Sequence, residues 1–151
     1  MTCWQAAHPS WAIAMTPLTA LSPMTDADGM VLSFVERGWQ AAREWSLDAQ
    51  HRGITVVHLI KGRLSPAVQA MIAPRPHIRI VSVPRPLFWV AAFAHLCAGR
   101  LRGRLRAVLV DNDRSCHRLR AWTQGMGVTL LTVRVGAAGY ELWSDAGRAH
   151  L

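Results

Sequence analysis

The chain has 151 residues, 51% of them hydrophobic, and a formal net charge of +8 from 17 basic and 9 acidic side chains. This length and apolar content exclude a wholly disordered chain and allow one domain of ordinary size. The sequence has no run of about 18 apolar residues, so we expect no transmembrane helix. Cys3, Cys97 and Cys116 are scattered, which fits neither a disulfide framework nor a paired-cysteine zinc site. We therefore expect reduced thiols in a cytoplasmic protein.

The first part of the chain differs from the rest. Residues 1–29 hold three prolines, no basic residue and no clear periodicity. They lack the positive start and the uninterrupted apolar stretch of a secretory signal. We expect a poorly ordered leader, or a mis-annotated start with the true initiator at Met24 or Met30.

From Met30 onward, apolar runs of strand length alternate five times with helix-like runs, at spacings typical of βαβ units. The runs are almost wholly apolar, as expected when helices cover both faces of a parallel sheet. The sequence therefore predicts an α/β fold over 30–136, a single three-layer, doubly wound, mainly parallel five-stranded sheet of Rossmann-like type. The predicted strands are 31–35, 54–60, 77–83, 106–110 and 128–135, and the predicted helices are 39–50, 64–72, 87–97 and 114–124.

Residues 137–151 show no clear pattern and are predicted to form an irregular tail, in which Tyr140–Trp143 is a short last turn or an edge piece. Local signals also place several helix ends. Ser65 is expected to cap the second helix, Gly99 to close the third and Asp113 to cap the fourth.

The carboxyl ends of parallel strands share one edge of a sheet, where ligands bind in this class of fold. Four predicted loops bring basic groups and carboxylates to that edge. An anionic ligand would suit them, although polar loop ends are also ordinary in α/β proteins. The candidate ligand-binding residues are Glu36, Arg37, Gly38, Lys61, Gly62, Arg63, Arg85 and Asn112.

Two common nucleotide motifs are missing from the sequence. The first loop has Gly38 alone where a dinucleotide cradle has three glycines, so NAD binding is disfavoured. There is no GxxxxGK[ST] sequence of a P-loop either. A phosphate could still bind at the helix N-terminus after Gly38.

Asp111-Asn-Asp113 follows the fourth predicted strand. Its two carboxylates are candidate catalytic and metal-binding residues, because paired carboxylates can hold Mg²⁺ or Mn²⁺ against a diphosphate. The triplet resembles those of metal-dependent nucleotide-sugar transferases and haloacid-dehalogenase-type phosphatases. The alternative is a capping role for Asp113, with Asp111 a polar strand exit, and then no cofactor is required.

The apolar segment 87–98 leads directly into the arginine-rich segment 100–106. An apolar helix with a basic end can lie on an anionic membrane surface, so 87–106 is a candidate peripheral membrane contact. The alternative is a helix buried against the sheet. Nucleic acid is disfavoured as a partner because no aromatic residues interleave with these arginines. His58 and His95 are expected to be core histidines, and Trp39 and Trp45 are expected to pack in the core or at its edge.

Three stretches between Val31 and Val135 resemble the N-terminal, acceptor-side half of a GT-B-type glycosyltransferase. They are Glu36–Arg43 with Gln50–Val57, then Val83–Leu87 with the apolar helix, and Leu105–Val110 with Gly127–Val133. The resemblance implies a larger transferase whose second, C-terminal domain binds the nucleotide sugar. This chain would then be a fragment or remnant that binds an acceptor or another anionic or sugar-containing small molecule and does not transfer sugar alone.

Two alternatives stay open beside that resemblance. One is a free-standing module that binds a nucleotide or another anion. The other is a small metal-dependent enzyme that uses Asp111 and Asp113. Whether the chain is an enzyme therefore depends on which hypothesis holds.

Overall fold

The computed structural model describes residues 29–72, 75–137 and 139–149, so nearly all of the predicted leader lies outside the described residues. Strands and helices alternate through most of this part of the chain. None of its helices is long and apolar enough to cross a membrane. In chain order the elements are β1 (Met30–Phe34), α1 (Trp39–His51), β2 (Thr55–Lys61), α2 (Pro66–Ile72), β3 (Ile78–Val83), a 3-10 turn (Arg85–Leu87), α3 (Phe88–Leu101), β4 (Leu105–Val110), α4 (Asp113–Met126), β5 (Thr129–Gly136), β6 (Gly139–Ser144) and β7 (Gly147–Ala149).

One mixed sheet runs through the fold in the order β3-β2-β1-β4-β5-β6-β7. The first five strands are parallel, as predicted, with Val31 of β1 level with Val56 of β2 and Ala107 of β4. The β6 and β7 strands then add to β5 in antiparallel fashion. The α/β class and the parallel part are confirmed, and the sheet is larger and more mixed than the predicted five strands.

The prediction of an irregular tail is wrong for residues 139–149, which form β6 and β7, although the edge piece suggested for Tyr140–Trp143 does lie within β6. Gly139 and Gly147 have φ values of +122° and +127°. This conformation is open to glycine and lets the chain reverse within a few residues. Among the β6 residues only Leu142 is buried, so the short strand carries too little alternation to be recognised from its sequence.

Helices cover both faces of the sheet, in agreement with the three-layer prediction. Alternate residues of β1 point to opposite sides, as the pleat requires. Val31 packs in the same cluster as Trp45 of α1. Leu32 and Phe34 pack on the other face, in the cluster that includes buried residues of α3 and α4.

The α3 helix continues past Gly99 to Leu101, so the prediction that Gly99 closes it is wrong. Gly99 is buried in the last turn, where an added Cβ would lie 2.7 Å from Met30 Cε and 3.2 Å from Leu105 Cβ. The glycine therefore serves close packing of helix on sheet. The left-handed residue that follows this helix is Gly103, with φ +64°.

The fourth helix begins with a different cap from the one predicted. Asn112 is extended and its side-chain oxygen accepts a hydrogen bond from Ser115 N at 2.8 Å, which is the bond of an N-cap residue. Asp113 is instead the first residue of α4. The Ser65 prediction fits better, since Ser65 Oγ accepts from Val68 N at 3.3 Å just before α2.

Two helix glycines are expected to respond oppositely to alanine. Gly125 of α4 has open space where a Cβ would lie, so Gly125→Ala should raise the free energy of unfolding by about 0.5–1 kcal/mol through helix propensity. Gly99→Ala should give no gain, because Leu105 and Met30 must move to admit the methyl group. Urea unfolding of both variants measures the difference, and an equal gain from Gly99→Ala would contradict the close-packing role.

Candidate functional site

The candidate site lies at the switch point of the parallel sheet. The β1 and β4 strands are neighbours, but the chain leaves them toward opposite edges of the sheet. Ligands of open α/β sheets bind at this point, beyond the carboxyl ends of the strands. Here that edge is formed by the Glu36–Gly38 loop after β1 and by Asp111–Asn112 after β4.

A carboxylate of the chain itself occupies the anion position of this crevice. Asp111 Oδ2 accepts three backbone hydrogen bonds, from Glu36 N at 2.9 Å, Arg37 N at 2.8 Å and Gly38 N at 2.9 Å. Its Oδ1 accepts a fourth from Asn112 Nδ2 at 3.1 Å. Three converging N–H groups before a helix make a site for an anion. Asp111 fills it, so a ligand phosphate would have to displace this carboxylate.

The same bonds bear on the metal hypothesis. Both carboxylate oxygens of Asp111 already accept hydrogen bonds, and Asp113 is exposed in the first turn of α4. Within the described residues, no three side chains of the His, Cys, Asp or Glu type come together as a metal-ligand group. The geometry therefore adds no support for Mg²⁺ or Mn²⁺ at Asp111 and Asp113.

A basic cleft of about 550 Å³ lies beside the crevice, at the carboxyl ends of β1, β2 and β3. It brings together four of the predicted ligand-binding residues from three separate loops, namely Glu36, Lys61, Arg63 and Arg85. The indole of Trp39, the first residue of α1, forms part of its wall. We call this space the β1–β3 cleft.

Charge in the β1–β3 cleft is weakly compensated. Lys61 Nζ lies 2.7 Å from Glu36 Oε1, but both side chains are partly exposed, so the pair contributes little stability. The same ammonium lies 5.0 Å from the ring centroids of Phe88 and Trp89. Neither Arg63 nor Arg85 has an ion-pair partner among the described residues. An incoming anion would therefore meet two unpaired guanidinium groups and an ammonium that it could share with Glu36.

The other predicted site residues lie outside this cleft. Arg37 and Gly38 line a separate groove of about 420 Å³ on the β4–β5 side of Asp111. Gly62, with φ +80°, shapes the turn after β2, and Asn112 caps α4. The single predicted edge thus consists of three parts: the basic β1–β3 cleft, the anion position that Asp111 fills, and the groove beside Arg37 and Gly38.

His58 lies buried beneath the β1–β3 cleft, with its ring centroid 6.1 Å from that of Trp39. Ser46 Oγ donates to Ala42 O and therefore accepts from His58 Nε2 at 3.1 Å. His58 Nδ1 is then the acceptor for Ser33 Oγ at 3.0 Å. Burial lowers the pKa of His58 to about 4, so the ring is neutral near pH 7. The prediction of a core histidine with satisfied hydrogen bonds is confirmed.

The other expected core residues have mixed outcomes. Trp45 is buried as predicted. Trp39 is half-buried against the core, which agrees with a place at its edge. It also helps to line the cleft, a role that its position directly after the first loop could have suggested. His95 is also half-buried and lines a cavity at the opposite edge of the sheet, so its assignment to the core is wrong.

Comparison of the sequence with models of known protein families gave no match, and a search of curated proteins gave no significant match. The likeness to a GT-B-type acceptor half therefore stays a prediction.

Proposed function

We propose that this chain is an anion-binding α/β domain, and that its ligand is a small molecule bearing phosphate or carboxylate groups held in the β1–β3 cleft. One observation carries the proposal: Lys61, Arg63 and Arg85 converge from two loops on a cleft whose lining includes one carboxylate, Glu36. Arginine forks pair well with phosphate and carboxylate oxygens, and Trp39 offers a flat apolar wall. No reaction is assigned to this site.

The acceptor-side half of a GT-B-type glycosyltransferase is the second candidate. The parallel order β3-β2-β1-β4-β5, with helices on both faces, is the kind of sheet that such a half requires. In that case the β1–β3 cleft would take the acceptor, and the sugar donor would be bound by a second domain. The isolated chain would bind its anionic ligand and transfer no sugar.

A thermal-shift titration tests the proposal. The probes are inorganic phosphate, pyrophosphate, free nucleotides and nucleotide sugars, each with and without Mn²⁺. A ligand that binds only the native state raises the unfolding midpoint, by roughly 5–10 °C at about 100 times its Kd for a chain of this size. We expect such a shift from at least one phosphate-bearing probe, and we expect it without Mn²⁺.

The matched variants locate the ligand. Replacing Arg63 and Arg85 together by glutamine should remove the shift. Replacing Arg43 and Arg52 together by glutamine makes the same change in net charge at exposed positions outside the cleft, and should leave the shift intact. Midpoints that no probe moves, or a shift that survives in the Arg63 and Arg85 double variant, would contradict binding in the β1–β3 cleft.

A further inference from the structure

The α3 helix is apolar on its exposed side as well as on its buried side. Phe88, Ala92, Leu96 and Gly99 are buried against the sheet. The opposite side shows Val90, Phe93 and Leu101 with 68%, 44% and 87% of their surface exposed, and Leu87 just before the helix is 56% exposed. The expected helix buried against the sheet is thus found on one side of α3, while its other side is exposed. Trp122 of α4 packs against Phe93, with the ring centroids 5.1 Å apart, and the described residues leave the rest of this stripe open. We call the stripe the α3 outer face.

An arginine cluster continues the α3 outer face at the end of the helix. Arg100, Arg102 and Arg104 are all exposed. The sequence contains no aspartate or glutamate between Asp48 and Asp111, so β2, α2, β3, α3 and β4 carry no carboxylate at all. This side of the molecule therefore carries positive charge with no nearby carboxylate to neutralise it. It attracts an anionic surface over a distance that shortens as the salt concentration rises.

A cavity of about 250 Å³ lies beside the same arginines, at the amino-terminal edge of the sheet. Its polar lining includes His95, Arg79, Arg102 and Arg104, and no carboxylate belongs to it. The apolar side chains of Met30 and Val81 complete the wall. Its chemistry suits a phosphate group that arrives with an apolar substituent.

We propose that the α3 outer face, with its arginine cluster, docks onto an anionic phospholipid surface. The apolar side chains would enter the headgroup region, while the arginines and the adjacent cavity would contact lipid phosphates. Charge favours this occupant over a second copy of the chain, because the same face of a second copy offers no carboxylate to pair with the arginines, whereas an anionic bilayer supplies phosphates. Docking here is separate from ligand binding in the β1–β3 cleft.

Vesicle flotation with the full chain tests the proposal. The vesicles are phosphatidylcholine alone, or phosphatidylcholine mixed with phosphatidylglycerol. We expect binding to the mixed vesicles, loss of that binding at high salt, and little binding to phosphatidylcholine. Replacing Arg102 and Arg104 together by glutamine should weaken binding by roughly 25-fold, about fivefold for each arginine removed. Replacing Arg43 and Arg52 together by glutamine should change vesicle binding by less than about twofold, because both lie in the α1 region on the other face of the sheet.

A second pair of variants tests the apolar part. Leu101→Glu should reduce binding to the mixed vesicles by at least about tenfold. Val135→Glu adds the same charge at a comparably exposed apolar position in β5, where 79% of the residue is accessible. This variant should bind the mixed vesicles at most about fivefold more weakly than the wild type, because of its added negative charge. Circular dichroism serves as the check that both variants fold. The proposal is overturned if the chain does not bind the mixed vesicles, or if Leu101→Glu and Val135→Glu weaken that binding equally. It is also overturned if size-exclusion chromatography shows that Leu101→Glu breaks a dimer of the wild-type chain while vesicle binding is unchanged.

Discussion

Asp111→Ala is expected to lower the free energy of unfolding by about 3 kcal/mol or more. The substitution removes the acceptor for the N–H groups of Glu36, Arg37 and Gly38 and for the Asn112 side chain. Hydrogen bonds to a charged group contribute about 1.5–3 kcal/mol each, but three of these four donors lie on a loop that water can partly reach. The net loss should therefore fall well below the simple sum of the four bonds. Urea unfolding near pH 7 measures it.

Two variants separate the role of Asp111 from a general effect of charge. Asp113→Ala removes a neighbouring exposed carboxylate whose contribution is its favourable interaction with the dipole of α4. This variant should lower the free energy of unfolding by less than about 1 kcal/mol. Asp111→Asn keeps an oxygen for the backbone donors but turns an NH₂ group toward Asn112 Nδ2, so we expect an intermediate loss. Equal effects of Asp111→Ala and Asp113→Ala would mean that the bonds between the β1 and β4 loops do not matter to stability.

Acidification from about pH 6.5 to pH 4 should destabilise the domain through His58, by on the order of 3 kcal/mol. In the unfolded chain the imidazole takes up a proton near pH 6.5, whereas burial lowers its pKa to about 4 in the fold. Between these values the unfolded state binds more protons, so the free energy of unfolding falls as the pH falls. Above about pH 6.5 the contribution of His58 is complete, and below about pH 4 it has been lost.

Urea unfolding over this pH range, compared between the wild type and two histidine variants, isolates the effect. His58→Phe should be less stable near pH 7, because Ser33 Oγ loses its acceptor, but its stability should depend less on pH. His117→Gln, at an exposed position of α4, should keep the wild-type slope. Imidazole NMR signals of the folded wild type give an independent check, and a His58 ring that titrates near pH 6.5 would contradict the assignment.

The strands and their parallel pairing could be predicted because burial on both faces leaves a clear signal in the sequence. The run Ile54–Ile60 is apolar at most positions and rich in β-branched residues, which favours a strand covered on both faces. The β6 and β7 strands gave no such signal, because each has only one buried residue and each is short. They extend the sheet from β5 toward its edge, with β6 on β5 and β7 on β6. Periodicity identifies buried elements and misses short edge strands.

The candidate site was predictable only as a set of loops at one sheet edge. The sequence placed Lys61, Arg63 and Arg85 there, and the structure brings them together. That Asp111 accepts bonds from the Glu36–Gly38 loop could not be foreseen, because the two lie more than 70 residues apart in sequence and meet only through the β1–β4 pairing. The sequence left open whether α3 has an exposed apolar side, since an apolar pattern cannot tell a covered face from a bare one.

Pyrophosphate titration followed by ¹H–¹⁵N NMR tests the central claim most directly, because it reports where an anion binds. We predict saturable shifts of the backbone amides at 61–65 and of Arg85, with the amides of Glu36 and Gly38 changing little because they stay bonded to Asp111. Shifts centred on Glu36–Gly38, or no saturable shift at any amide, would contradict the assignment of the β1–β3 cleft as the anion site.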